Sequence, residues 1–183
     1  MRHARTEANA SGRLQGRLDL PLDAVGLEQA AALTRLVHSV DRVICSPMLR
    51  ARQTAKVFGM EASIDERWQE VAYGEYEGTR IADVPPDIWQ RWLSDADFTP
   101  PGGESLRTLG SRVFSACDDL VEEAQSRHVV VVTHATPVKA AMAWALGVGI
   151  EITWRSHVDQ ASVTRVVMRE RGPALSVFNL VPH

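Results

Sequence analysis

The stretch from His128 to Thr133 holds an unbroken β-branched run, Val129 to Thr133. Continuous rather than alternating apolar character marks a strand buried on both faces, so other elements must cover each side of it. His134-Ala135-Thr136-Pro137 follows at once, and a helical segment runs from Thr136 to Leu146. A second short strand, Asp41 to Cys45, is likewise followed by a helix, from Ser46 to about Phe58, that closes near Gly59. Strands alternating with helices specify an α/β layer architecture. In both junctions a hydroxyl residue precedes proline, Ser46-Pro47 and Thr136-Pro137. That pattern predicts an N-cap followed by proline at the first helical position.

The remaining segments fit this frame. Asp23 is positioned to cap a helix whose apolar stripe is Leu27, Ala30, Ala31, Leu33, Leu36 and Val37. Ala62 to Ile64 reads as a short strand, and 66–78 as loop or a short helical turn. Pro85-Pro86-Asp87 opens a short helix with Trp89 and Trp92, which could line an entrance but on such a helix belong more often to a core. Phe98 to Gly103 is a Pro/Gly loop. Ser105 to about Gln125 carries Leu106, Leu109, Val113, Ala116, Cys117, Leu120 and Val121 on one side of a long helix. Ala161 to Met168 and Ala174 to Leu180 are predicted as two strands around an Arg171-Gly172-Pro173 turn, an edge hairpin. The first twenty residues read as loop.

At 183 residues the chain fits one domain, 1–183, since roughly 150 residues make a domain. Hydrophobic content of 45% and charged content of 23% exclude a disordered chain, a fibre and a coiled coil. A net charge of −3 argues against a non-specific nucleic-acid binder. Cys45 and Cys117 lack CxxC spacing and read as small buried hydrophobes in a reducing compartment. The opening residues contain no apolar signal core, and the longest apolar run, Ala140 to Ile150, is too short to span a bilayer. The expectation is a cytoplasmic protein with no membrane or nucleic-acid partner. Among the 20 cationic residues only Lys56 and Lys139 are lysine. Base composition explains that skew better than a need for guanidinium forks, which only individual positions can support.

Open α/β sheets bind ligands beyond the carboxyl ends of their strands, and helix N-termini there favour anions. Two strand-to-helix junctions, with Arg50 one turn into the first helix and His134 at the end of the second strand, predict an anion pocket. Well-capped helices alone would give the same junctions; the arginine and histidine favour the pocket. Arg52, two positions from Arg50, points elsewhere and reads as a surface residue.

Several motifs occur in order along nearly the whole chain. They are Arg2-His3-Ala4-Arg5-Thr6 with Asn9, Ser46-Pro47-Met48-Leu49-Arg50-Ala51-Arg52-Gln53-Thr54-Ala55, Glu70-Val71-Ala72-Tyr73-Gly74, Pro101-Gly102-Gly103-Glu104-Ser105, and Val129 to His134. Together they resemble the histidine phosphatase superfamily. The His-Ala-Thr-Pro form, the tryptophans and the Gly-Gly-Glu-Ser stretch are most similar to its acid phosphatase and alpha-ribazole phosphatase branch, particularly a phosphatase domain fused to ribonuclease H in some actinobacteria. No stretch of this sequence resembles a ribonuclease H.

The resemblance implies a phosphoglycerate mutase-like fold, three-layer α/β/α with a mostly parallel sheet. It makes His3 the nucleophile that forms a phosphohistidine. Arg2, Arg50 and His134 would neutralise the transferring group, and Glu70 would be the acid and then the base. Thr6, Asn9, Gln15, Gly16, Glu104 and Ala135 are its implied substrate-binding positions. Glu104 could equally cap the helix at Ser105, and Glu75 and Glu77 are fallback acids. His38, His128, His157 and His183 match no catalytic position, although His157 could lie near the pocket. No metal or cofactor is expected. The implied activity is a metal-independent phosphomonoesterase acting on a small phosphorylated metabolite, as a monomer or homodimer. Phosphoglycerate mutase-type transfer and a non-catalytic phosphate-binding domain are the alternatives.

Two departures stand out. Ala4 replaces the family's usual glycine, which predicts a small distortion. The resemblance also places an apolar strand ahead of Arg2-His3, and this sequence begins at Met1. The native product is therefore expected to carry additional N-terminal residues; otherwise another segment fills the gap, or His3 is loosely held.

Overall fold

The computed structural model describes residues 1–182, so His183 lies outside the described residues. Strands β1 (Arg42–Cys45), β2 (Ala62–Ile64) and β3 (Val129–Val132) form a parallel sheet in the order β2-β1-β3. Strands β4 (Val163–Arg169) and β5 (Gly172–Leu180) form an antiparallel hairpin. Its ladder continues through Gly172 and Pro173, so the turn is Glu170-Arg171, tighter than the sequence suggested.

Alternation along β1 and β3 builds the layers. Val43, Cys45, Val130 and Val132 face one core, with α2 (Ala24–Ala32) and α3 (Leu49–Ala55). Ile44, Val129 and Val131 face the other, with α5 (Leu106–Asp118) and α6 (Ala135–Leu146). A strand that must satisfy two apolar faces cannot alternate with polar residues, which is why both runs are continuous. The result is a three-layer α/β/α arrangement. A third, aromatic cluster under α4 (Pro86–Ser94) holds Leu14, Trp92 and Phe98, so Trp92 is core while Trp89 is half-buried against it.

Several local expectations change. The first residues are not all loop: α1 (Glu7–Ala10) is one helical turn closed by a capping box between Thr6 and Asn9. The buried face of α2 is Gly26, Ala30 and then Leu33, whereas Leu27 and Ala31 are exposed. Helix α5 is capped by the Ser105 hydroxyl and stops at Asp118, well short of Gln125. Neither hydroxyl-proline pair caps a helix. Met48 and His134 occupy the N-cap positions of α3 and α6, and the Ser46 hydroxyl is spent elsewhere.

The position ahead of Arg2-His3 is partly filled by the first residues themselves. The Met1 amino group donates to the Val131 carbonyl (2.7 Å), Thr133 N–H donates to Met1 (2.9 Å), and His3 N–H donates to Thr133 (2.8 Å). On the other side Arg2 N–H donates to Ser162 (3.1 Å) and Ala161 N–H donates to His3 (3.1 Å). These three residues thus join the sheet to the hairpin, and His3 is held from both sides rather than loosely. Beyond them an apolar cavity of about 160 Å³ separates β3 from β4, lined by Met1, Trp68, Val131, Trp144 and Val166 among others. Ala4 is fully buried and lies outside the positive-φ residues, so its methyl group packs into the core without backbone strain.

Candidate active site

The site lies at the carboxyl ends of β1 and β3 and the end of the Met1–His3 segment. A pocket of about 270 Å³ is lined by Arg2, His3, Asn9, Gln15, Gly16, Arg50, Glu70 and Ala135, all anticipated from sequence. Arg13, Tyr73, His157 and Gln160 also line it; only His157 had been placed near it.

Arg50 is the centre of the constellation and is fully buried. Its Nε–H is shared between Nε2 of His3 and Nδ1 of His134, 3.2 Å from each. Its Nη1 donates to the Leu18 carbonyl (2.8 Å) and its Nη2 to Gly16 (2.6 Å). Those two carbonyls fix the fork because the chain turns sharply there. Gly16 has φ +50°, and a Cβ at that position would sit 2.3 Å from the Glu77 carboxylate. Glu77 in turn accepts from Arg17 N–H (2.9 Å) and Tyr73 N–H (3.2 Å), so it fixes the loop.

A guanidinium can only donate, so both imidazole nitrogens facing Arg50 must carry lone pairs. The other nitrogens agree with this. His3 Nδ1 lies 2.7 Å from the Ala4 carbonyl, which requires it to be the protonated nitrogen. His134 Nε2 lies 2.7 Å from the Ser46 hydroxyl. Burial first, and then the Arg50 charge, hold both imidazoles well below their ordinary pKa, so both are neutral near pH 7. The two rings meet edge to face with centroids 5.1 Å apart.

The charge balance favours an anion. Burial lowers the Arg50 guanidinium to about 10, with Glu70 opposing the shift, so it stays charged near neutral pH. Arg2, lowered in the same way, donates Nη1 to the Val158 carbonyl (2.6 Å), and its buried Nε finds no acceptor among the described residues. Glu70 accepts from its neighbour Val71 N–H (2.9 Å) and from Thr136 N–H at the start of α6 (3.4 Å). The pocket lining carries Arg2, Arg13 and Arg50 against the single carboxyl group of Glu70. At an effective dielectric near 20, each unit pair about 4 Å apart is worth about 4 kcal/mol, so this excess of positive charge favours an anion.

Three anticipated residues do not line the pocket: Thr6, Glu104 and His134, the last fully buried against Arg50. Thr6 is fully buried, and its hydroxyl is engaged by Asn9 and Gln15 (2.8 Å to the latter), so it orients those residues instead of touching a ligand. Glu104 neither caps α5 nor lines the pocket. Its carboxylate is taken by Arg112 (2.7 and 2.8 Å) and Arg17 (3.4 Å). Arg52 is exposed, and both cysteines are free and buried. Among the described residues, no group of three or more His, Cys, Asp or Glu side chains is arranged to hold a metal, and no helix is long and apolar enough to cross a membrane.

A three-layer α/β fold here gathers two neutral imidazoles and two arginines at the carboxyl end of a parallel sheet, an arrangement suited to an anionic group. The chain belongs to the histidine phosphatase superfamily (branch 1), whose family model matches residues 1–181. It is 31% identical to phosphoserine phosphatase 1 of Hydrogenobacter thermophilus, covering 100% of this chain and 92% of that protein. It is 32% identical to a bifunctional protein of Mycobacterium tuberculosis over 90% of this chain, and spans about half (48%) of that protein's length. The alpha-ribazole phosphatase of Shigella flexneri superposes with a TM-score of 0.86 at 27% identity, covering 98% of this chain and 94% of that one.

Proposed function

We propose that this protein is a metal-independent phosphomonoesterase that hydrolyses a small phosphorylated metabolite through a phosphohistidine on His3. The observation that carries this reading is the state of the His3 ring. Its Nδ1 proton is committed to the Ala4 carbonyl, and its Nε2 lone pair lies beside the guanidinium that would receive a phosphate.

In the first step Nε2 attacks phosphorus as the ester P–O bond breaks, and Glu70 gives its proton to the leaving oxygen. In the second, water attacks the phosphohistidine, Glu70 takes the water's proton, and the N–P bond breaks to release inorganic phosphate. Charge on the transferring group spreads over its equatorial oxygens. Arg2 and Arg50 meet that charge with forks already oriented by backbone carbonyls. His134 stays neutral with its Nδ1 lone pair on the Arg50 N–H, so it acts by holding that guanidinium beside His3. Asn9 has its Oδ1 held by Thr6, which leaves its NH₂ for the anion, and the Ala135 N–H opens α6 beside it. Gln15 and Gly16 form the opposite wall. Residues 1–183 act in this reading as one domain of a cytoplasmic enzyme, monomeric or homodimeric, with no nucleic-acid partner.

Hydrolysis of an aryl phosphate in the presence of a chelator, without a bisphosphoglycerate primer, tests this. The expected result is stoichiometric release of inorganic phosphate. Primer-dependent transfer without release would point to mutase chemistry, and phosphate binding without turnover to a binding domain.

A further inference from the structure

Glu70 sits on a segment with no strand partner. The chain makes a single 3₁₀ turn, Glu66–Trp68, and then runs as irregular backbone towards Tyr73. Carbonyls in such a segment need donors from elsewhere. Trp68 receives the Thr133 hydroxyl (2.5 Å) and Ala72 receives Glu104 N–H (2.9 Å). Arg112, two turns into α5, serves three more. Its Nη1 donates to Arg67 (2.5 Å) and Gln69 (2.8 Å), and its Nη2 to Glu70 itself (3.3 Å). The two donors that remain, on Nε and Nη2, go to the Glu104 carboxylate at 2.7 and 2.8 Å.

All five guanidinium donors are therefore used, three on the acid-bearing backbone and two on a nearly buried carboxylate whose side chain is 9% exposed. A surface ion pair would not need that arrangement. Glu104 also accepts from Arg17, next to the Gly16 carbonyl that fixes the Arg50 fork. One carboxylate thus links the wall carrying the acid to the wall carrying the phosphate cradle.

We propose that Arg112 is the positioning residue for Glu70: a five-donor clamp that sets the height of the acid over the leaving-group side of the pocket, with Glu104 as its buried counter-charge. The inference rests on the reading of Glu70 as general acid. Lysine keeps the charge but supplies three donors without a planar fork, so it cannot hold three carbonyls and a carboxylate together.

The test compares Arg112→Lys, Glu104→Gln and Glu70→Gln on an alkyl phosphate and on an activated aryl phosphate. A misplaced acid costs most where the leaving group needs a proton. Arg112→Lys should therefore lower kcat on the alkyl ester by about 10- to 100-fold, and on the aryl ester far less. Affinity for inorganic phosphate should hold, and the acid-to-base pH profile of kcat on the alkyl ester should flatten as it does in Glu70→Gln. The Arg112→Lys/Glu70→Gln double variant should be no slower than Glu70→Gln alone. If the lysine variant melts early, Glu104→Gln carries the same comparison with one acceptor retained. Uniform slowing on both esters, or additive losses in the double variant, would overturn the clamp while leaving the acid standing. A Glu70→Gln enzyme with no leaving-group dependence would overturn both.

Discussion

Arg50 gives one N–H to two imidazoles, Nε2 of His3 and Nδ1 of His134, each 3.2 Å away. The shared donor keeps both rings neutral at the facing nitrogens and ties the Met1–His3 segment to the junction of β3 and α6. Because the rest of the guanidinium is bound to the Gly16 and Leu18 carbonyls, neither ring can shift without disturbing the loop opposite.

Replacing His3 with alanine should abolish turnover on alkyl and aryl phosphates alike, since no other group is placed to form the covalent adduct. Steady-state rates decide this; activity near that of the unmodified protein would remove His3 from the mechanism.

Glu70→Gln separates substrates by leaving group. Esters of poorly acidic alcohols should slow by about 10²-fold or more, and activated aryl esters much less. Equal slowing of the two classes would make Glu70 a structural residue.

Ser46 distinguishes a helix cap from an imidazole partner. Its hydroxyl is fully buried at 2.7 Å from His134 Nε2. Ser46→Ala strands that N–H, which should cost about 1–3 kcal/mol of stability and lower kcat together. A loss of stability in urea unfolding with unchanged kcat would return Ser46 to a purely structural role.

Stability should rise with pH between about 5 and 8. Burial holds His3 and His134 well below 6.5. In that window the unfolded chain binds more protons than the folded one, so each fall in pH favours unfolding. Asp65 and Asp159 are depressed, so their contribution is lost only as pH falls below the ordinary carboxylate range. Urea unfolding at about pH 5.5 and about pH 8 should give the larger free energy at the higher pH. The opposite order would contradict the burial of these groups in neutral form.

Much of this was legible in the residues. The continuous runs through Val43-Ile44-Cys45 and Val129 to Val132 announced a sheet covered on both faces, and the strand-to-helix junctions located the pocket. Ser46 misled because a hydroxyl before proline suits a cap and an imidazole partner equally. Thr6 misled because a hydroxyl near an anion site can face the ligand or stand one layer behind it. Arg112 was silent because three of its partners are main-chain carbonyls, which no side-chain pattern marks. Helix α5 ends early because its apolar stripe weakens after Cys117, where Leu120 is half-buried and Val121 follows among acidic residues.

The central claim is a covalent bond between phosphorus and His3. Glu70→Gln mixed with an activated aryl phosphate, quenched in alkaline denaturant and digested, should yield one acid-labile phosphate on the N-terminal peptide carrying His3, absent from the His3→Ala/Glu70→Gln protein. Phosphate on any other residue, or the same labelling after His3 is removed, would contradict it.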